Sequence, residues 1–312
     1  MALSLFGHRA AVTAVVVITA AMGGSGWSAP EQSGRDAVMT GGRFVYTVKR
    51  GDSLTLVSAR FGIDLRQLAA LNQLTPTASL RTGQALAVDN RHLIPDSAAV
   101  SIVINIPQRL LFFRDDAGAV TAYPVGLGRP TWPTFVGAFR IASLETYPVW
   151  DVPLSIQDEM RRAGKPVLTH VPAGPGNPLG AHWLGLDRAG YGIHGTNAPA
   201  SIYRFQTHGC IRLHPDDVAR LVASVAVGTR GLVVYEPILL SRTAEGTIWI
   251  EAHPDVYRRA PDPLAFVRRW AAAEELDAEV DWQAVAAAVR ERVGAPVDVT
   301  QRPASTRRAP AR

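Results

Sequence analysis

The sequence predicts a mostly β central domain, preceded by a small α+β module and followed by a helical extension. Three observations carry this prediction. In residues 44–88, alternating runs at both ends enclose two stretches of helical spacing. Between about 100 and 237, short alternating runs are separated by Gly and Pro turns. Two amphipathic helical patterns then lie near 263–275 and 281–293. A chain of 312 residues that is 47% hydrophobic has room for more than one core.

The first element is an export signal. Residues 10–30 carry no charge, and their apolar part is shorter than the roughly 20 residues that a membrane-spanning helix needs. Small residues follow it, so we expect a signal peptide over 1–29, with an uncleaved membrane anchor as the weaker alternative. The expected location is therefore outside the cytoplasm, and for an exported protein nucleic acid is excluded as a partner.

The module at 44–88 is predicted to fold in the order strand, helix, helix, strand. Asp52 or Ser53 is placed to cap the first helix. Apolar side chains recur at helical spacing through both predicted helices. They are Leu54, Val57 and Phe61 in the first and Leu65, Leu68 and Leu71 in the second.

The central domain, 100–237, is predicted to be built from short strands and one helix. The helix follows Pro215, where two aspartates suit a helix N-terminus. The predicted strands are 102–106, 109–113, 120–126, 138–141, 183–186, 192–194 and 231–235.

The extension, 238–300, is predicted to contain a strand at 247–251 and the two helices already mentioned. No residue pattern in it points to a function, and its helices are expected to pack or to meet a partner. The tail, 301–312, is rich in Arg, Pro and Ala and is predicted to be disordered.

Charge and cysteine content narrow the possible functions. A net charge of +5 favours anionic surroundings such as a cell wall or a membrane surface, without specifying which. The single cysteine, Cys210, excludes an internal disulfide. Its thiol is either a buried apolar group or a reactive one, and its neighbours must decide.

Those neighbours indicate thiol chemistry. A nucleophilic cysteine needs an imidazole to take its proton, and His194 and His208 are both candidates. Gly209 has no side chain, so a substrate can approach backbone amides there. A zinc site formed by His208, Cys210 and His214 is the minority alternative, because no established zinc motif is present and Pro215 suggests that His214 caps a helix.

Two parts of the chain resemble known families. The module is similar to LysM modules, which bind N-acetylglucosamine-containing glycans. Residues 51–55 and 72–76 would form the groove, and a degenerate spacer is the alternative. The central domain resembles the L,D-transpeptidase catalytic domain, also called YkuD, of the periplasmic subgroup in Gram-negative bacteria, and this implies a β-sandwich. The stretches that carry the resemblance are His194-Gly-Thr196, Thr207-His-Gly-Cys-Ile-Arg-Leu213, Tyr123-Pro-Val-Gly-Leu-Gly128, Gly174-Pro-Gly-Asn-Pro-Leu-Gly180 and Glu251-Ala-His-Pro-Asp-Val-Tyr257.

The resemblance also assigns residues. It implies that Cys210 is the acylated nucleophile, that His194 is the general base and that the Gly195 backbone orients His194. His208 would lie beside the thiolate, and the amides of Gly209 and Cys210 would form the oxyanion hole. Arg212 would bind a substrate carboxylate, although a solvated arginine or a structural ion pair is almost as good an interpretation. Thr207, in place of the usual serine, and Tyr203, in place of glycine, are expected at the substrate groove with Phe135, which replaces a proline.

The implied reaction acts on peptidoglycan without a cofactor or metal. Cys210 would attack a tetrapeptide stem after its third residue and release D-alanine. The acyl group would pass to an amine, either of another stem, giving a 3-3 cross-link, or of an outer-membrane lipoprotein. A carboxypeptidase or hydrolase of the same bonds and a non-catalytic wall-binding protein are the alternatives. Sensitivity to carbapenems is also implied.

Overall fold

The computed structural model describes residues 32–33, 38–96 and 100–302. The predicted signal peptide and nearly all of the predicted disordered tail lie outside the described residues. No helix within the described ranges is long and apolar enough to cross a membrane.

The α+β module has the predicted order, and this part of the prediction is confirmed. Ser53 caps the first helix, because its hydroxyl accepts the Leu56 N–H at 3.2 Å. Asp52 instead accepts the Lys49 N–H at 2.7 Å. Both helices pack their apolar faces on the paired strands. The elements up to this point are β1 (Gln32–Ser33), β2 (Met39–Thr40), β3 (Arg43–Thr47), α1 (Leu54–Phe61), α2 (Leu65–Leu71), β4 (Ala85–Asp89) and β5 (His92–Leu93).

The central domain is mostly β, as predicted. Its elements are β6 (Ile102–Asn105), β7 (Leu110–Arg114), β8 (Val120–Gly128), β9 (Gly137–Thr146), β10 (Trp150–Asp151), α3 (Leu154–Arg162), β11 (His170–Val171), β12 (His182–Leu186), β13 (Gly192–His194), a 3-10 turn (Pro199–Ser201), β14 (Phe205–Thr207), β15 (Ile211–Leu213), α4 (Pro215–Ser224) and β16 (Arg230–Val234).

These strands form a closed, barrel-like sandwich. The order runs β8-β15-β13-β12-β9-β16-β6-β7, and β7 pairs back with β8 to close the sheet. Strands β1 and β14 add to β8. Apolar side chains from the strands and from α4 fill the interior, among them Ile104, Val125, Leu184 and Leu221, each 0% exposed. Closure fixes the strands relative to one another, so the side chains on the outer face of β13 and β15 are held in register.

The extension contains the two predicted helices and more strand than predicted. Its elements are β17 (Ile238–Arg242), β18 (Ile248–Ala252), α5 (Pro263–Ala273), α6 (Trp282–Glu291) and β19 (Pro296–Asp298). Strands β17, β18 and β19 form an antiparallel sheet, and the helices pack on it around Ile250, Val267 and Val285. The extension is therefore a second small α+β layer with its own core.

The module is docked onto the rest of the chain by polar as well as apolar contacts. Arg60 of α1 forms an ion pair with Asp217 of α4 at 2.9 Å, and the two side chains are 12% and 1% exposed. The fully buried Glu251 of the extension accepts hydrogen bonds from His92 at 2.8 Å and from Gln108 at 3.1 Å. One carboxylate thus joins the connector, the barrel and the extension.

Candidate active site

Strand alternation brings the predicted nucleophile and base to one face of the sheet. β13 runs parallel to β15, with Ile193 opposite Ile211 and His194 opposite Arg212. Ile193 and Ile211 are 0% exposed and belong to the barrel core. Because side chains alternate along a strand, His194, Cys210 and Arg212 face away from that core.

This outer face lines a cavity of about 550 Å³. Cys210, His194 and Arg212 line it together with Thr207 and His208. Much of the remaining wall is aromatic or apolar and includes Trp132, Val149, Trp150, Ile156, Leu179, Trp183 and Tyr191. The structure therefore brings five of the predicted site residues together in a cavity of the size that holds a small ligand.

His194 is held in one tautomer and one orientation. A carbonyl oxygen only accepts, so His194 Nδ1–H donates to the Gly195 oxygen at 2.7 Å and Nε2 is left as an acceptor. The ring stacks on Trp183, with centroids 5.8 Å apart and an interplanar angle of 27°. Burial, and then the charge of Arg212, lower the pKa of His194 to about 3, although backbone carbonyls oppose them. At neutral pH the imidazole is therefore uncharged, with Nε2 unprotonated.

Gly192 allows the Trp183 ring to reach this position. A Cβ atom at Gly192 would lie 2.3 Å from Trp183 Cη2, which no side chain tolerates. The two residues lie on paired strands, β12 and β13. The stacking of Trp183 on His194 thus depends on the missing side chain next to it.

The Cys210 thiol is protonated at rest. Burial raises the pKa of Cys210, while the Gly192 amide and the charge of Arg212 act against burial. The S–H lies 3.6 Å from the Gly190 carbonyl oxygen, to which it donates. The resting pair is therefore a neutral thiol and a neutral imidazole.

Arg212 carries a charge that its surroundings do not neutralise. Its Nη1 donates to Ser201 Oγ at 2.9 Å, and its buried Nε has no partner. Within residues 38–96 and 100–302, no carboxylate forms an ion pair with Arg212. Arg212 is therefore neither a solvated surface arginine nor part of a structural ion pair in the described residues. Its guanidinium faces a cavity and is available to an anion.

Thr207 closes residues 207–210, the loop that carries the predicted nucleophile (the nucleophile loop). Its hydroxyl donates to the Cys210 carbonyl at 2.7 Å and accepts the Gly209 N–H at 3.2 Å. Thr134 donates to the Gly209 carbonyl at 2.9 Å. The hydroxyl of Thr207 is thus used inside the loop, although Thr207 lines the cavity.

Gly209 differs from its predicted role. Its φ of +107° and the 2.8 Å that would separate a Cβ from Tyr191 Cε1 explain why glycine is needed. Its N–H is already hydrogen-bonded to Thr207, so it does not face the cavity as a free donor. Of the two amides expected in the oxyanion hole, Cys210 N–H is the one that Thr207 does not occupy.

Tyr203 is placed outside the cavity, in contrast to the expectation that it lies at the groove. It is 4% exposed and packs with Ala59 of α1 and with barrel side chains. The Arg109 guanidinium lies over its ring at 3.9 Å. Tyr203 therefore belongs to the contact between the module and the barrel. Phe135 also lies outside the cavity lining and packs on Tyr191 and Phe139.

His208 leads to residues that the sequence did not single out. Its Nε2 lies 3.1 Å from Glu159 Oε2 and 3.0 Å from Arg129 Nη2, and its ring packs near Trp132 at 5.2 Å. Glu159 belongs to α3, which buries none of its residues. The helix is short and has only Ile156 and Met160 spaced four apart as apolar residues on one face, too few to identify it from the sequence.

The alternative zinc site is not supported by the positions of its proposed ligands. His214 caps α4, because its Nδ1 accepts the Asp216 N–H at 3.3 Å. In the described part of the chain, no three His, Cys, Asp or Glu side chains are grouped as metal ligands.

Two known protein families match this chain, one over the module and one over the central domain. The L,D-transpeptidase catalytic domain family, YkuD, matches residues 99–235, and the LysM domain family matches residues 46–89. The probable L,D-transpeptidase ErfK/SrfK of Salmonella typhimurium is 30% identical over 256 residues, covering 78% of this chain and 81% of that protein. The probable L,D-transpeptidase YbiS of Escherichia coli is 31% identical over 219 residues, 69% of this chain and 71% of that one.

A solved L,D-transpeptidase from Mycobacterium smegmatis aligns with 49% of this chain and 63% of its own, at 23% identity and a TM-score of 0.35.

Proposed function

The chain belongs to the L,D-transpeptidase family and is an acyltransferase, and from that premise we propose that Cys210 is its nucleophile on peptidoglycan stem peptides. Cys210 Sγ attacks the carbonyl carbon after the third residue of a tetrapeptide stem. The bond to the terminal D-alanine breaks, and an acyl-thioester remains on the enzyme. An amine then attacks the thioester and regenerates the thiol.

One observation carries this proposal. Cys210 and His194 share one face of two parallel strands, inside a cavity, with His194 Nε2 as the unprotonated nitrogen. His194 takes the thiol proton as Sγ attacks and returns it to the departing amine of D-alanine. Fixing Nδ1–H on the Gly195 carbonyl prepares the ring for both transfers.

Two further groups fit roles around the reacting carbonyl. The Cys210 amide is the candidate donor to the oxyanion, in place of the pair of amides first expected. Arg212, which lines the cavity and has no carboxylate partner among the described residues, suits a carboxylate of the stem.

The acceptor distinguishes three products of the same thioester. A second stem gives a 3-3 cross-link, a lysine of an outer-membrane lipoprotein gives a tether, and water gives a carboxypeptidase reaction. The largely apolar and aromatic cavity wall favours transfer, since a site that excludes water protects a thioester from hydrolysis.

The LysM module is proposed to hold glycan strands. Arg50, Gly51 and Ser53 on one side of its predicted groove are exposed, and so are Thr75 and Pro76 on the other. The face of α1 that carries Arg60 is occupied by the barrel, so docking leaves this groove open. Export into the periplasm, through the predicted signal peptide, would place both sites next to the cell wall.

Intact-mass spectrometry tests the proposal directly. The mature protein is incubated with a disaccharide-tetrapeptide and, separately, with a carbapenem, beside its Cys210→Ala and His194→Ala variants. We expect an adduct on the wild type, none on Cys210→Ala and a much slower one on His194→Ala. Dimers with release of D-alanine indicate transfer, whereas tripeptide without dimers indicates hydrolysis. Absence of any adduct on the wild type would leave only a wall-binding role.

A further inference from the structure

Glu159 joins three separate parts of the cavity rim. Its carboxylate contacts Arg129, which follows β8, and lies 3.1 Å from Nε2 of His208 in the nucleophile loop. Glu159 itself comes from α3, and neighbouring residues Pro153, Ser155 and Ile156 line the same cavity. Since α3 has no buried residue, this polar contact is a main attachment of the helix to the nucleophile loop.

Two groups contact the His208 ring through the same atom. Nε2 lies 3.1 Å from Glu159 Oε2, which only accepts, and 3.0 Å from Arg129 Nη2, which only donates. In the tautomer that pairs with Glu159, Nε2–H donates to the carboxylate and Nδ1 is left able to accept a proton. Arg129 donates to the other carboxylate oxygen of Glu159, so the positive charge of Arg129 is balanced by that carboxylate. The hydrogen bonds from His208 and then Arg129 lower the pKa of Glu159, so the carboxylate stays ionised. Trp132 packs near the ring and limits its rotation.

The cavity therefore holds two imidazoles with different surroundings. His194 is 3% exposed and is oriented by a backbone carbonyl, whereas the His208 side chain is 21% exposed and is oriented by a carboxylate. The inner ring is suited to the thiol. The outer ring is the more exposed of the two and is therefore the more accessible to a second substrate.

We propose that Glu159 is a positioning residue that acts through His208, holding this outer imidazole to take a proton from the acceptor amine in the second half-reaction. The inference rests on the proposed function, because it concerns the fate of the Cys210 thioester. It distinguishes the two half-reactions by their imidazoles: His194 serves the thiol in both, whereas the pair of Glu159 and His208 serves transfer alone.

The transfer step gives each proton of the acceptor amine a defined path. The acceptor enters as an ammonium ion and gives one proton to His208 Nδ1. Its nitrogen then forms a bond to the thioester carbonyl carbon. As the C–S bond breaks, the second nitrogen proton passes through His194 to Sγ, which leaves as the thiol. His208 returns its proton to solvent, so the products are an amide, the free enzyme and one net proton.

The test separates the two half-reactions in the full-length mature protein. Glu159→Ala is compared with Asp158→Ala, a neighbour on the same exposed helix. Among the described residues the carboxylate of Asp158 pairs only with Arg161. Acylation is followed by D-alanine release in the first turnover, and transfer by decay of the acyl-enzyme when a second tetrapeptide is added. We expect Glu159→Ala to slow transfer about 10-fold or more while acylation changes less than about 2-fold. Asp158→Ala should change neither.

A double-mutant cycle tests whether Glu159 acts through His208. In a His208→Gln background, Glu159→Ala should slow transfer by less than about 2-fold more. Equal losses in both half-reactions, or full additivity with His208→Gln, would overturn the assignment. Normal transfer by Glu159→Ala, with normal acylation, would overturn it as well.

A spectroscopic measurement makes the outcome independent of turnover. The ring ¹⁵N shifts of His208, assigned by their loss in His208→Gln, should move in Glu159→Ala and not in Asp158→Ala. Unmoved shifts would overturn the positioning role even if acylation proceeds. Wild-type protein that forms no acyl-enzyme would instead overturn the proposed function and the transfer role with it.

Discussion

The Thr207 hydroxyl and the Cys210 carbonyl oxygen lie 2.7 Å apart, and this hydrogen bond closes the nucleophile loop from within. The same hydroxyl accepts the Gly209 N–H. Thr207 is 4% exposed, so water cannot replace either hydrogen bond. The reactive thiol therefore stands on a turn whose shape depends on one buried hydroxyl.

Replacing that hydroxyl should harm both stability and acylation. Thr207→Val keeps the shape of the side chain but leaves a buried carbonyl and a buried amide unpaired, at a cost of about 1–3 kcal/mol. Thr207→Ser keeps the hydroxyl and should stay close to the wild type. Chemical denaturation and the rate of carbapenem adduct formation measure the two effects. If Thr207→Val behaves like Thr207→Ser, the hydroxyl does not hold the loop.

The buried, neutral His194 should make the protein less stable in mild acid. Its pKa is lowered from 6.5 to about 3, so below pH 6.5 the unfolded chain takes up a proton that the folded protein refuses. Stability is fully present above pH 6.5 and is lost as the pH falls towards 3. This amounts to about 2 kcal/mol between pH 7 and pH 5. Chemical denaturation of the wild type and of His194→Gln at both pH values measures this. The free energy of unfolding should fall less in the variant between pH 7 and pH 5, and an equal fall would contradict the role of His194.

The thiol should alkylate slowly at neutral pH. Because burial raises the pKa of Cys210 above the ordinary value of 9.0, the rate of reaction with iodoacetamide should rise with a midpoint above pH 9. Arg212→Met removes a charge that stabilises the thiolate and should move the midpoint still higher. Mass-detected alkylation across a pH series measures this, and a midpoint near pH 7 would show that the resting pair is already ionised.

A single methyl group at Gly192 should disturb the base. Gly192→Ala would place its Cβ 2.3 Å from Trp183 Cη2 and push the ring off His194, costing about 1–3 kcal/mol through overpacking. Gly176→Ala is the matched control, because a Cβ there meets no atom within 4 Å. The midpoint temperature of thermal unfolding and the rate of carbapenem adduct formation should both fall for Gly192→Ala and not for Gly176→Ala.

The buried ion pair between the module and the barrel should be costly to break on one side only. Asp217→Asn leaves the buried Arg60 without its anionic partner and should cost about 3–5 kcal/mol. The double variant Arg60→Met with Asp217→Leu should recover most of that loss. Glu279→Gln breaks an exposed pair with Arg242, in which the side chains are 45% and 46% exposed, and should cost at most about 1 kcal/mol. Thermal unfolding compares the three, and equal losses would argue against burial as the cause.

The sequence was informative where local periodicity and burial agree. The strand, helix, helix, strand order of the module follows from alternating and amphipathic patterns. Strands β6 and β7 are instead continuous apolar runs, buried on both faces. Strands β14 and β15 have three residues each, too few for a pattern, and α3 buries nothing. Strands β14 and β15 form through pairing with distant strands, and α3 contacts distant residues through Glu159, which meets Arg129 and His208. Neither kind of contact can be read from the local sequence.

The same limit applies to the candidate site. His194 and Cys210 stand in short motifs that point to them, yet only the parallel register of β13 and β15 brings them to one face. Glu159 and Trp183 have no such motif. Glu251 was noted as part of a resemblance, but its contact with His92 spans 159 positions in the chain and follows from tertiary packing alone.

Docking of α1 against the barrel changes what the LysM module can do for the enzyme. A module joined by a flexible linker only raises the local concentration of its target, and all stems within reach of the linker are equivalent. Here the module is fixed against the barrel by the ion pair of Arg60 with Asp217 and by the packing of Ala59 beside Tyr203. With glycan bound to the module as proposed, a sugar would lie at a set distance and direction from Cys210. The module would then select, by position along the glycan strand, which stem reaches the thiol.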